Sequence, residues 1–370
     1  MFRFICHFCK RTYPPDRIIW RCVCGGYLDI EQDTIFNKAY LDPGKSGVWR
    51  YKVMIPHLGE DIISFGETAT PLEKSIFEGQ QIYFKHDYLF PGGSYKDRGN
   101  TVLVSWLHAM GITHVLEDSS GNAGASLSLY AAKAGIHAQI LVPENTSDSK
   151  ILQARACGAE VIKIKGNRKD TADEALKRAE SCYYASHVFS PLFYHGTKTL
   201  AYELFEQLGD TIPDRIIFPV GNGSLLLGLT TAYRELFEAG LIKSFPQLIA
   251  VQHENYAPLH HAINSENDFI PESTPTMAEG IAVSCPLRLL QMKELSINYH
   301  VTVETVTEQE IVDALKLMFK SGYYIEPTSA VAFAAFRKLR MQFGEGEKIV
   351  VVLTGHGLKA NNAIEKILKH

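Results

Sequence analysis

The segment Pro91-Gly92-Gly93-Ser94-Tyr95-Lys96-Asp97-Arg98-Gly99 sets one lysine between a small-residue turn and an apolar, helix-compatible run over residues 100–110. A lysine at the mouth of a helix, beside its positive dipole end, suits a nucleophilic amine. Such an amine can condense with an aldehyde to form a Schiff base. A solvated Lys-Asp-Arg surface turn would use the same residues, so the neighbouring blocks decide the reading.

Three further blocks each follow a strand-like run. Asp118-Ser119-Ser120-Gly121-Asn122-Ala123-Gly124 comes after residues 114–117 and opens an Ala-rich helix that Gly135 ends. Unpaired N–H groups at such a helix start face one point and can hold a carboxylate or phosphate. Pro219-Val220-Gly221-Asn222-Gly223-Ser224 follows residues 216–220 and precedes a helix over 225–239. Its two glycines let the backbone bend closely around an anion, and the Ser224 hydroxyl adds a donor. Leu226 stands where a dinucleotide fingerprint needs a third glycine, so a single phosphate fits better than a pyrophosphate. Thr354-Gly355-His356-Gly357-Leu358-Lys359 follows the apolar run 349–353. A hydroxyl at the carboxyl end of such a strand sits where open α/β sheets bind ligands. One amine, two anion cradles and one neutral hydroxyl form the equipment of a pyridoxal phosphate enzyme.

In this order the blocks resemble the fold-type-II pyridoxal phosphate enzymes, and among them the threonine synthase family. Glu67-Thr68-Ala69-Thr70-Pro71-Leu72, Gly196-Thr197-Lys198-Thr199, Glu279-Gly280-Ile281-Ala282 and Glu326-Pro327-Thr328-Ser329-Ala330 extend the resemblance over most of the chain. It implies Lys96 as Schiff-base lysine and proton shuttle, and Asn122 as partner of the cofactor's ring oxygen. Gly221, Asn222, Gly223 and Ser224 would cradle the cofactor phosphate, and Thr354 would meet the ring nitrogen. Ser119, Ser120 and Ala123 would hold the substrate carboxylate. A hydroxyl, unlike an Asp, does not keep the ring nitrogen protonated, which favours elimination and replacement over transamination. One position departs from the pattern: Phe193 stands where the family supplies an arginine for the phosphate of O-phosphohomoserine. His356 is expected to shape the turn, with a proton relay as the alternative, Lys359 either caps the turn or sits in solvent, and no catalytic role is assigned to Glu279 or Glu326.

From residue 80 to 200 strands (82–86, 114–117, 138–142, 161–164) alternate with helices (99–110, 148–157, 171–181), the pattern of a parallel sheet with right-handed crossovers. A second α/β series follows, with strands near 216–220, 248–252 and 349–353. The expected fold class is therefore α/β: two domains, each an open, mostly parallel sheet flanked by helices, with a small N-terminal Cys-rich ribbon. The expected division is a ribbon over 1–40, a large cofactor-phosphate domain over 41–81 and 200–370, and a small carboxylate-binding domain over 82–199. Residues 264–276, rich in Pro, Ser and Glu, read as a long loop.

Cys6-x2-Cys9 and Cys22-x-Cys24-Gly25-Gly26 look like the two knuckles of a zinc ribbon, the second shorter than usual, with a vestigial hairpin and free thiols as the alternative. Cys157, Cys182 and Cys285 read as reduced thiols. With 370 residues, 46% hydrophobic content and a net charge of −4, the chain can bury large cores and is a poor match for nucleic acid or membrane surfaces. No apolar run reaches the length of a membrane span, and Met1–His7 turns to charges and cysteines too soon for a signal peptide, so the cytoplasm is the expected compartment. The expected partner is a small amino-acid substrate, and the resemblance implies a homodimer.

The function that follows is a lyase converting O-phospho-L-homoserine and water to L-threonine and phosphate. β-Elimination or β-replacement on serine, threonine or phosphoserine, as in dehydratases and in cysteate or cysteine synthases, is the alternative. It shares the Pro-Gly-Gly-Ser start of the lysine block. A cofactor-binding regulator without turnover is a third reading.

Overall fold

The structure, a computed structural model, describes residues 2–264 and 274–369. The chain forms two compact units, residues 1–68 with 96–199, and 69–95 with 200–370.

The first unit carries a four-stranded sheet in the order Glu160–Ile164, His137–Pro143, His114–Glu117, Tyr183–Tyr184, with every pairing parallel. Growth runs outward from His114–Glu117 through two strands, then returns to Tyr183–Tyr184 on the opposite side. Helices Lys96–Ala109, Asn122–Ala134, Asp148–Ala156, Arg168–Arg178 and Pro191–Thr197 belong to this unit. The Ala-rich helix Asn122–Ala134 stops at Gly135, whose φ of 67° provides the left-handed cap that bonds back to the Ala131 and Ala132 carbonyls. Leu116, Leu141, Ala175 and Tyr184 form a small core beneath Trp20 and Phe189. The N-terminal ribbon is a three-stranded antiparallel sheet with Phe2–Cys6 at its centre. It is fastened to the lysine helix: Phe4 packs edge-on against Trp106, whose indole N–H donates to the Pro15 carbonyl at 2.9 Å.

The second unit carries a six-stranded sheet in the order Thr302–Val306, Gln247–His253, Arg215–Pro219, Ile349–Val352, Gln80–Lys85, Leu72–Phe77. Only the last pairing is antiparallel. The sequence Ile-Val-Val-Val at 349–352 is buried throughout, as a central parallel strand covered on both faces requires. Its core joins Ile217, Ile249, Val251 and Val351 to Ala330, Val331, Phe333 and Ala334 of the helix Pro327–Leu339.

Strand and helix positions expected from the sequence recur with ends shifted by a few residues, while the domain limits differ. Residues 41–68 fold with the first unit, because Thr101 of the lysine helix donates to the Ile63 carbonyl and accepts the Trp49 indole N–H, and Tyr130 donates to Glu67 at 2.6 Å. Residues 82–95 fold with the second, because Gln80–Lys85 pairs on both edges within the large sheet. The ribbon is packed into the first unit rather than standing as a division of its own. Of the loop expected at 264–276, residues 265–273 lie outside the described residues.

Candidate active site

Lys96 is the first residue of the helix Lys96–Ala109, the position its sequence context requires. Phe193, from Pro191–Thr197, lies against this first turn. A side chain on Gly99 would meet the phenyl ring at 2.5 Å, and Lys96 Nζ is 5.6 Å from the ring centre. Gly196 permits the same close approach, since a Cβ there would strike the Arg98 backbone carbonyl. Arg98 itself is fully buried and donates to the Thr199 hydroxyl at 3.0 Å.

Ser119, Ser120, Asn122 and Ala123 come together in the same unit. Ser119 and Ser120 are half-buried in the loop after His114–Glu117, and Asn122 begins the following helix. Among the described residues no side chain caps that helix start, and a helix N-terminus of this kind suits an anion. Gly124 exists because the loop folds back: any Cβ would collide with the Ser119 carbonyl. Asn100 of the lysine helix donates to the Ala123 carbonyl at 3.3 Å, tying the two helix starts together.

Gly221, Asn222, Gly223, Ser224 and Thr354 come together in the second unit. Arg215–Pro219 and Ile349–Val352 are parallel neighbours, and the sheet's growth reverses between them. The glycine turn and Thr354 follow the carboxyl ends of these two strands, the place where open α/β sheets bind ligands. Gly223 has φ +84°, and a Cβ on it would run into Met292. The helix Ser224–Glu238 opens without a side-chain cap bond. The Ser224 hydroxyl is 3.0 Å from the Tyr95 hydroxyl. Thr354 is buried, with its hydroxyl 3.1 Å from that of Ser329. Ser329 Oγ also accepts the N–H groups of Thr354 (2.9 Å) and Gly355 (2.7 Å), which fixes the turn. Ser94 Oγ is buried without a hydrogen-bond partner among the described residues. A backbone cradle, an uncapped helix start and a buried neutral hydroxyl fit a phosphate and a pyridine nitrogen. His356 caps its own turn by accepting from the Leu358 N–H at 3.1 Å, and Lys359 donates to the Gly92 carbonyl at 2.7 Å, as expected of turn-shaping residues.

The four ribbon sulfurs of Cys6, Cys9, Cys22 and Cys24 lie within 4.8 Å of one another. Cys6 and Cys24 are 3.5 Å apart, as are Cys9 and Cys22, and the Tyr13 hydroxyl is 3.0 Å from Cys22 Sγ. Gly26 is required here, because a Cβ would press on Phe8 and on Cys6 Sγ. A zinc–thiolate bond of about 2.3 Å needs sulfurs about 3.8 Å apart, and the cluster is of that size.

Sequence reasoning passed over Glu117, Asp118, His187 and Arg168. Glu117 is buried, accepts from the His187 N–H at 3.0 Å and meets His187 Nδ1 at 3.1 Å. Asp118 pairs with Arg168 at 2.9 Å and accepts from the Tyr184 hydroxyl at 2.6 Å. The signal available was the acidic pair closing the otherwise apolar strand 114–117, since a buried carboxylate demands a partner.

Residues 63–355 match the family described as pyridoxal-phosphate dependent enzyme. The threonine synthase of Methanocaldococcus jannaschii is 35% identical over 97% of this chain and 93% of its own length. That of Methanosarcina acetivorans is 33% identical over 97% and 92%. Among solved structures, a threonine deaminase from T.th. is 25% identical with a TM-score of 0.66, covering 78% of this chain and 92% of its own. The chain thus belongs to the pyridoxal-phosphate-dependent enzymes of fold type II, within the threonine synthase family.

Proposed function

We propose that the protein is a threonine synthase, converting O-phospho-L-homoserine and water to L-threonine and phosphate. The observation that carries this reading is the 35% identity with a threonine synthase along 97% of the chain. When bound, pyridoxal phosphate supplies an aldehyde that captures amino groups and a ring that takes up the electron pair left at Cα. The backbone N–H groups of Gly221, Asn222, Gly223 and Ser224 would hold its phosphate, Thr354 its ring nitrogen and Asn122 its ring oxygen. Ser119, Ser120 and the Ala123 N–H would hold the substrate carboxylate. Lys96 Nζ would take the proton from substrate Cα and later move a proton from Cβ, a single base serving successive steps. Phosphate departs from Cγ and water adds at Cβ.

The test is to supply O-phosphohomoserine to the cofactor-loaded protein and assay threonine and phosphate. A second reading, β-elimination or β-replacement on serine, threonine or phosphoserine, is favoured by Phe193, which cannot clamp a phosphate as an arginine does. Keto acid or a substitution product from serine or phosphoserine, with no threonine from O-phosphohomoserine, would select it.

A structural zinc on Cys6, Cys9, Cys22 and Cys24 belongs to the same proposal. So do a homodimer, checked by sedimentation, and a cytoplasmic location, checked by fractionation. No helix among the described residues is long and apolar enough to cross a membrane.

A further inference from the structure

Within the first unit, Glu117 and His187 form a buried carboxylate–imidazole pair that the chemistry above leaves unused. Glu117 ends the strand His114–Glu117, and His187 stands just beyond the adjacent parallel strand Tyr183–Tyr184. The four-stranded sheet reverses its growth between these two strands. Both residues therefore sit at its ligand-binding edge, on which Ser119 and Ser120 directly follow Glu117. One Glu117 oxygen meets Nδ1 of the imidazole and the other accepts the His187 backbone N–H, so ring and backbone are held by one carboxyl, and Nε2 has no hydrogen-bond partner among the described residues. The imidazole is 5.7 Å from the Phe193 ring, and Lys96 Nζ is 5.6 Å from that same ring. A held imidazole with one open nitrogen, packed on the same phenyl ring that Lys96 Nζ approaches, is built as a substrate contact.

We propose that His187 Nε2, oriented by Glu117, donates a hydrogen bond to the phosphate leaving group of the substrate and so helps select a phosphorylated amino acid. This rests on the threonine synthase reading, in which Ser119, Ser120 and Ala123 occupy the substrate carboxylate and the phosphate is the anion left to be recognised.

The proton inventory of the pair supports a donor. Burial pushes the Glu117 carboxyl up to about 7, against the pull of the His187 N–H, the Arg168 and Lys96 charges and the Asp118 N–H. Burial holds His187 well below the usual imidazole range, helped by Lys96 and Arg168 and opposed by Asp118. On the acid side of about 7, Glu117 O–H donates to Nδ1 and the ring proton sits on Nε2, which is then a donor. As pH rises through about 7, the carboxyl loses its proton and Nδ1–H donates to the carboxylate. Nε2 then becomes a bare acceptor that repels phosphate oxygen. The affinity for phosphorylated substrate falls with it.

The experiment compares the wild-type holoenzyme with His187→Phe and Glu117→Gln. The glutamine amide can accept from the His187 N–H and donate to Nδ1, which locks the proton on Nε2 at every pH. His187→Phe should raise KM for O-phosphohomoserine roughly 10- to 100-fold, the loss of one hydrogen bond to a charged group, and should change kcat less. Inhibition by inorganic phosphate should weaken in parallel, while the cofactor absorbance change on adding unphosphorylated homoserine should persist. Glu117→Gln should flatten the rise of KM that the wild type shows between about pH 6 and about pH 8. That variant keeps the proposal decidable if His187→Phe does not fold. Phosphate inhibition unchanged in His187→Phe, or a KM–pH slope unchanged in Glu117→Gln, would overturn it. A wild type that makes no threonine from O-phosphohomoserine refutes the threonine synthase reading instead. Calorimetric titration of the holoenzymes with inorganic phosphate then decides His187: weaker binding in His187→Phe supports the contact, and equal or absent binding in both overturns it.

Discussion

Both parallel sheets reverse their growth once, and the loops at the two reversals carry opposite kinds of chemistry. In the first unit the edge presents Glu117, Asp118, Ser119, Ser120 and His187, side chains that accept, donate and titrate. In the second the corresponding edge presents Gly221, Asn222, Gly223 and Thr354, neutral groups on a rigid turn. Titratable side chains thus gather at one edge and neutral groups on a glycine turn at the other. A fully buried charge pair of the second unit serves a different purpose. Lys85 and Glu203 have fully buried side chains 2.7 Å apart, and Lys85 Nζ also donates to the Thr70 carbonyl (2.7 Å) and Gln207 (2.9 Å). A charge with every bond satisfied holds structure, whereas a group with an open bond can meet substrate.

The sharpest way to break this comparison is Lys96→Ala, since Lys96 is the proposed covalent anchor on the first edge. The variant should lose the yellow colour of the bound cofactor and reduce turnover by roughly 10³-fold or more, because a single group serves as anchor and base. Retained colour and turnover would move the chemistry to another residue.

How far the sequence carried these two edges differs for a physical reason. The geometry of the second edge was visible in the sequence, because Gly221, Gly223 and Ser224 form one block of small residues and Thr354 closes an apolar run. On the first edge Lys96 and Ser119–Ser120 were readable from their blocks. The Glu117–His187 pair was not, since its members are far apart in sequence and meet only because Tyr183–Tyr184 pairs beside His114–Glu117. That two-residue strand is too short to show periodicity. The domain limits were missed for a related reason: Gln80–Lys85 has the same apolar pattern whichever sheet it joins, and pairing alone assigns it.

Glu203→Ala tests the claim that the second unit's charges are structural. It leaves the Lys85 ammonium buried without its counter-ion, at a cost of about 3–5 kcal/mol. Denaturant unfolding should record that loss, with KM for substrate little changed in protein that remains folded. A shift in KM without loss of stability would give the pair a role in the site.

Gly223→Ala asks whether the second edge is rigid by necessity. The residue has φ +84° and its Cβ would overlap Met292, so strain and displacement should together cost about 1–3 kcal/mol. Cofactor affinity should fall with stability, as measured by titrating apo-protein and following absorbance. Full affinity in the variant would show that the turn adapts, and would remove rigidity from the contrast between the edges.

The smallest expected effect concerns what supports the first edge from behind. The ribbon touches the lysine helix through Phe4, Trp106 and the Pro15 carbonyl. It also reaches the Phe193 helix, since the Tyr194 hydroxyl donates to Asp29 at 3.4 Å and the other oxygen of Asp29 meets His7 Nδ1 at 2.9 Å. Without zinc the sulfurs take up protons and lose the ion that ties them together, and the Cys6 and Cys22 loops should loosen when the metal is removed. Chelation should therefore lower the melting temperature by only a few degrees, since one short ribbon is released while both sheets stay intact. Kinetics after chelation should show a fall in kcat that zinc restores. If Cys6→Ser and Cys9→Ser proteins melt and turn over as the wild type does, the metal does not support the lysine helix, whose position then rests on Phe193 against Gly99 and on the bonds of Asn100, Thr101 and Trp106.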